Sequence, residues 1–164
     1  MVNLWPAELE VTKLIPPVTI LRQQASMLGQ LTSNRVLGDV KARDEEGDVF
    51  TYDFYIVAPS LNNYRYKLLT ISHSVDLYPV IIKVEESIYK EIPQFDNKVA
   101  STVFEKKIGM SLQLDSEPKF IEALRAIFNS SKAKRVISAL LVQSIDNYKS
   151  PIIRQENLVK RSKK

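Results

Sequence analysis

His73 is the single histidine among 164 residues. It is the one side chain whose ordinary pKa lies near neutrality, so general acid–base chemistry would start there. Ser72 and Ser74 flank it, and Asp76 lies three residues on. A nucleophilic triad needs a hydroxyl within hydrogen-bond reach of the imidazole. Successive side chains of a strand point to opposite faces, which takes both serines away from the ring. No G-x-S-x-G elbow presents a serine elsewhere. A solvent-exposed histidine at a strand end is the simpler reading.

Metal chemistry has fewer candidates still. Cysteine is absent, which excludes thiolate zinc sites, iron–sulfur clusters and thiol catalysis. Asp53, Lys83 and Glu85 are the residue types of a metal-dependent nuclease. Lysine here precedes the acid, though, and Asp53 sits in Tyr-Asp-Phe rather than beside a proline. Two carboxylates could still hold a hard cation if their strands adjoin; a solvated outer face explains them more simply. The turn Asp44-Glu45-Glu46-Gly47-Asp48 lacks the spacing and the distal glutamate of a calcium loop. Gly29, Gly38, Gly47 and Gly109 are the only glycines, too scattered to cradle a phosphate. No catalytic set, metal site or cofactor is expected, and the reading leans away from an enzyme while leaving that question open.

Two patterns bear on nucleic acid. Tyr64-Arg65-Tyr66-Lys67 has the composition of a stacking platform. In an extended strand, however, its tyrosines face one way and its cations the other, and strand tyrosines commonly serve packing. The net charge is +4 and lies at one end. Residues 132–164 hold nine Lys or Arg against two acids, whereas the rest is slightly acidic. Lys132, Lys134 and Arg135 open the last helix, and Lys160, Arg161, Lys163 and Lys164 crowd the terminus. Together they are candidate anion or nucleic-acid contacts; a frayed solubilising tail is the plainer reading of the last group.

The elements that must position these residues follow from hydrophobic spacing. An arm or short strand is expected over Leu9–Ile15. Pro16-Pro17 then starts a helix to about Leu31, with Val18, Leu21, Ala25 and Leu28 in one stripe and Ile20, Gln24, Met27 and Leu31 beside it. Period-two alternation predicts strands over 34–43, 49–58, 64–72 and 78–85. The segment 86–114 is less regular, with 98–107 readable as a fifth, edge strand or a short helix. Asp115-Ser116-Glu117-Pro118 is a helix start. Phe120, Ile121, Leu124, Ile127 and Phe128 line that helix, and Val136, Ile137, Leu140, Leu141, Ser144 and Ile145 line a second, which Pro151 closes.

The expected fold class is α+β, an antiparallel four- to five-stranded β-meander preceded by one helix and followed by two helices packed on the sheet. It forms a single domain over residues 1–150, with a basic tail over 151–164. The first residues lack a secretory signal pattern, and no apolar stretch approaches the roughly 20 residues of a membrane span, so a cytoplasmic chain without a membrane partner is expected. The second faces of the strands carry Val49, Tyr55 and Val57, then Leu77 and Ile81. An exposed apolar sheet face marks an interface. The functional expectation is therefore a non-catalytic protein-interaction or adaptor domain, homodimeric through the sheet or bound to a protein partner. A nucleic-acid-associated protein using the basic helix and tail is the alternative, and a metal-dependent nuclease the second.

Overall fold

Pro17 fills a first-turn position whose N–H would have no partner, and helix α1 runs from there to Leu31. The computed structural model describes residues 4–5, 13–43, 47–93, 99–104 and 107–161, with backbone alone for 99–104, 107–108 and 147–161. The expected arm thus lies largely outside the described residues; Lys13–Ile15 has no regular structure. Of the two stripes on α1, Ile20 and Leu21 are buried, while Met27 and Leu31 are exposed. The Thr32 hydroxyl, 2.6 Å from the Val36 carbonyl, closes the turn into the sheet.

Six antiparallel strands follow: β1 (Leu37–Ala42), β2 (Phe50–Ala58), β3 (Tyr64–His73), β4 (Val80–Glu85), β5 (Val99–Phe104) and β6 (Lys107–Leu114). Their spatial order is β1-β2-β3-β4-β6-β5. The first four form the expected meander. Asn62 and Asn63 both take φ of 54° between β2 and β3, a left-handed conformation that asparagine tolerates well. The sheet gains two strands from 86–114, where the sequence reading reaches five strands in all. The hairpin β5–β6 places its second strand against β4.

Register lines up three rows of side chains across the sheet. Phe54, Leu69, Val84 and Met110 form one; Tyr52, Ile71, Ile82 and Leu112 the next; Phe50, His73, Val80 and Leu114 the third. Leu68 is the extra residue of a bulge between the pairs Phe54↔Leu69 and Tyr55↔Lys67. Phe54, Ile56, Leu69, Ile71, Ile82 and Leu114 are all but fully buried.

That face is dry because the helices lie on it. Ala25 of α1 sits against Gly38, which pairs with Ile56. In α3 (Glu117–Asn129) Phe128 packs on Phe54 at 5.3 Å between ring centroids. In α4 (Ser131–Arg161) Lys132 lies over the Tyr66 ring. The short α2 (Glu86–Tyr89) leads to Glu91, which binds the start of α4. The α+β architecture, with helices on one face of an antiparallel sheet, is the one the spacing predicts.

Pro151 lies within α4 rather than at its end. A proline removes one backbone hydrogen bond and bends a helix, which does not oblige it to stop. No helix among the described residues is long and apolar enough to cross a membrane.

The contact at Gly38 is close enough to test. A Cβ there would stand 2.4 Å from the Ala25 Cα and 2.7 Å from its Cβ. Gly38→Ala should therefore cost about 1–3 kcal/mol in urea unfolding. Adding Ala25→Gly should fail to restore it, because the nearest obstacle is backbone.

Candidate interaction surface

The same alternation that buries one face determines the other. Its rows are Thr51, Ser72, Ile81 and Gln113; then Asp53, Thr70, Lys83 and Ser111; then Tyr55 and Lys67. This face is mainly polar, which corrects the expectation of an apolar reverse. The expectation counted β2 and β4, whereas β3 lies between them and contributes hydroxyls and cations.

Its centre is a carboxylate held by many donors. Arg43 donates to Asp53 through Nε (2.7 Å to Oδ2) and Nη2 (2.9 Å to Oδ1). Thr70 donates its hydroxyl to Oδ1, and the Tyr55 hydroxyl reaches Oδ2 at 3.4 Å. Thr51 and Ser72 hydroxyls meet at 3.2 Å. Arg65 stands over the Tyr55 ring, 4.6 Å from its centroid, and pairs with Asp39 of β1. Burial alone would raise the Asp53 carboxyl. The hydrogen bonds from Arg43 and Thr70, with the charges of Arg43 and Lys67, outweigh it and hold the group below its ordinary value.

The predicted partner-binding residues are dispersed around this centre. Tyr55 is half-buried beneath Arg65, and Val57 is buried at 7% exposure. Ile81 is 38% exposed and Val49, just ahead of β2, 49%. Between Val57 and Ile81 stand Asp53, Thr70 and Lys83, so no continuous apolar patch forms. Leu77 is not on β4 at all. It lies in the turn before Val80 with φ of 70°, because the strand begins only after Pro79.

The basic residues divide as well. Lys132 Nζ is 3.4 Å from Glu85 Oε2 and 5.7 Å from the Tyr66 ring centroid. The Tyr66 hydroxyl donates to Glu85 Oε1 at 2.9 Å. Burial first, then the bond and charge of Glu85, push the Tyr66 phenol well above its ordinary value. Glu91 accepts the Ser131 N–H at 2.9 Å, so a carboxylate already occupies the positive end of α4. Lys134 and Arg135 are exposed. Lys160 and Arg161 are in the helix by backbone alone, and Lys163 and Lys164 lie outside the described residues. At about 1.5 Å per residue, α4 separates Lys132 from Arg161 by roughly 40 Å along its axis, which parts the two basic clusters.

The remaining candidates do not converge. Asp53 and Glu85 are on strands separated by β3, and each is already bonded to a cation. No three potential ligands gather at one point among the described residues. His73 is buried at 6% exposure, not exposed at the strand end. Its Nδ1 is 2.8 Å from the Ser74 carbonyl, and Phe50 and Tyr52 lie beside the ring at 5.6 and 6.0 Å. Alternation from Ile71 onward points it to the helical face, where it serves the core's rim. No family model, curated protein or solved structure matches the chain.

Removing the Asp53 charge tests the organisation of this surface. Asp53→Asn should lose about 1–3 kcal/mol near neutral pH. Because the folded carboxyl titrates below its unfolded value near 3.9, the wild-type advantage is full above that value. It should fade as pH falls through the folded pKa. Urea unfolding of both proteins at neutral and acid pH checks this; an unchanging gap contradicts it.

Proposed function

We propose that the chain is a non-catalytic protein-interaction domain that meets its partner through the β-sheet. The observation supporting this is the one-sided helix cover. The four helices α1–α4 lie on a single face, while the other carries an organised, ion-paired layer. In it Thr51, Asp53, Thr70 and Ser111 are buried, and the half-exposed Arg43, Tyr55, Lys67 and Lys83 form the outer surface. Bonded charges such as Arg43–Asp53 and Arg65–Asp39 are fixed in position before any partner arrives, which lowers the cost of ordering them on binding. Ile81, half a strand from the polar centre and 38% exposed, supplies an apolar contact on the same surface.

The test is an affinity capture from native cells, run with and without nuclease. A protein partner should be retained after nuclease treatment. Ile81→Glu on the open face should weaken its capture by about tenfold or more, and Glu122→Lys on exposed α3 should not. Loss of all bound protein on nuclease treatment would replace this reading by a nucleic-acid one through Lys134, Arg135 and the residues toward the terminus.

A further inference from the structure

Strand β1 ends the sheet on one side, and the direction of its backbone groups can be deduced. Arg43 donates its N–H to the Thr51 carbonyl at 2.9 Å, and Arg43 and Thr51 continue the β1–β2 register. In an antiparallel ladder, alternate residues bond to the same neighbour. Leu37, Asp39 and Lys41 therefore bond inward to β2, while the N–H and C=O groups of Gly38, Val40 and Ala42 point outward. An open groove of about 420 Å³ lies between α1 and β1, with Arg22, Ser26, Gln30 and Asp39 in its walls; along the strand Leu37–Val40 are half-exposed, and Lys41 and Ala42 are exposed.

Charge decides what can lie there. Asp39 and Lys41 are on the reverse face, one residue to either side of Val40; Asp39 holds Arg65 of its own chain through Oδ2, which leaves Oδ1 for a second cation. Lys41 is exposed and has no carboxylate partner among the described residues. If a second β1 runs antiparallel with the two Val40 residues opposite each other, Asp39 faces the other chain's Lys41, and Lys41 its Asp39. Gly38 then pairs with Ala42, and each outward-facing pair exchanges two backbone hydrogen bonds. Cross-strand pairs of opposite charge stabilise such a ladder, and like pairs oppose it. A shift of two residues sets Lys41 against Lys41 one way and Asp39 against Asp39 the other; in the first, Asp39 would face Arg43, which Asp53 already holds.

We infer that two copies of this chain associate through β1 in that register, joining their sheets into one about a two-fold axis at Val40. The inference goes beyond the face interaction proposed above, because it seats a second copy of this chain on the β1 edge and leaves the Asp53 face to another protein. Both helical layers then lie on the same side of the joined sheet, and the Asp53 surfaces of the two copies form one continuous face.

Sedimentation equilibrium of the full chain tests it, using paired charge variants. The wild type should be dimeric, dissociating on dilution. Asp39→Lys alone sets lysine against lysine, and Lys41→Asp alone sets aspartate against aspartate, so each should be monomeric. An equimolar mixture of the two should recover a dimer, since both pairs become complementary across the mixed interface. Val40→Pro removes an outward N–H without touching the ladder to β2, and should also give monomer. A wild type that stays monomeric up to about 1 mM overturns the dimer while leaving capture of another protein intact. Failure of the mixture to dimerise, or dimers that persist in the single variants and Val40→Pro, overturns this edge and register.

Discussion

Tyr52, Ile71, Ile82 and Leu112 stand in register across four strands, and removing that row from water is the constraint on which the rest depends. Ile71 and Ile82 are fully buried and Leu112 nearly so. Once helices cover the row, the period of two leaves no freedom for the residues between. Thr51, Asp53, Thr70, Ser72, Lys83 and Ser111 must face the other way. They are polar, and neighbouring strands bring their hydroxyls, carboxylate and cations within bonding distance. The ordered reverse surface is thus a consequence of the core's register. A slip of one residue would send Asp53 under the helices and expose Phe54.

The elements most legible in the sequence are those with long, regular alternation. Val36, Gly38, Val40 and Ala42 announce β1, and Phe50, Tyr52, Phe54 and Ile56 announce β2. Pro17 and Ser116 mark the starts of α1 and α3 where the structure has them. Strand β6 carries an equally regular signal, with Ile108, Met110, Leu112 and Leu114 alternating with Lys107, Gly109, Ser111 and Gln113. It is obscured by its neighbourhood: Ile92-Pro93 and the small, polar run from Val99 to Thr102 make the whole segment look irregular.

The candidate surface was legible only in part, because its interactions are set by tertiary register. Asp53 reaches Arg43 diagonally across a hairpin, and its third donor, Thr70, comes from the next strand. Glu91 and Ser131 are forty residues apart. Neither pairing leaves a local pattern. Counting charge along the chain has the same weakness. Lys132 belongs to the basic cluster by sequence, yet in the fold it faces Glu85 and Tyr66, and the bland reading of Glu85 as a solvated outer-face acid fails for the same reason. His73 errs in the opposite sense. A polar residue at a strand end looks exposed until the aromatic pair Phe50 and Tyr52 closes on it.

An organised face and an open edge impose different demands on a partner. The face offers fixed charges whose mutual bonds must be respected, so it favours a complementary surface and resists indiscriminate hydrophobic contact. The edge offers backbone groups that any extended chain could satisfy, and by itself would discriminate little. Asp39 and Lys41 change that, since they flank the outward-facing Val40 with opposite signs and meet their own like charge when the strands slip by two residues. Gly38 contributes from the other side of the strand: it lets α1 settle directly onto β1 at Ala25 and so holds the outermost strand against the body of the fold. A sheet edge that is anchored from above and marked by charge from below can remain open without being unselective.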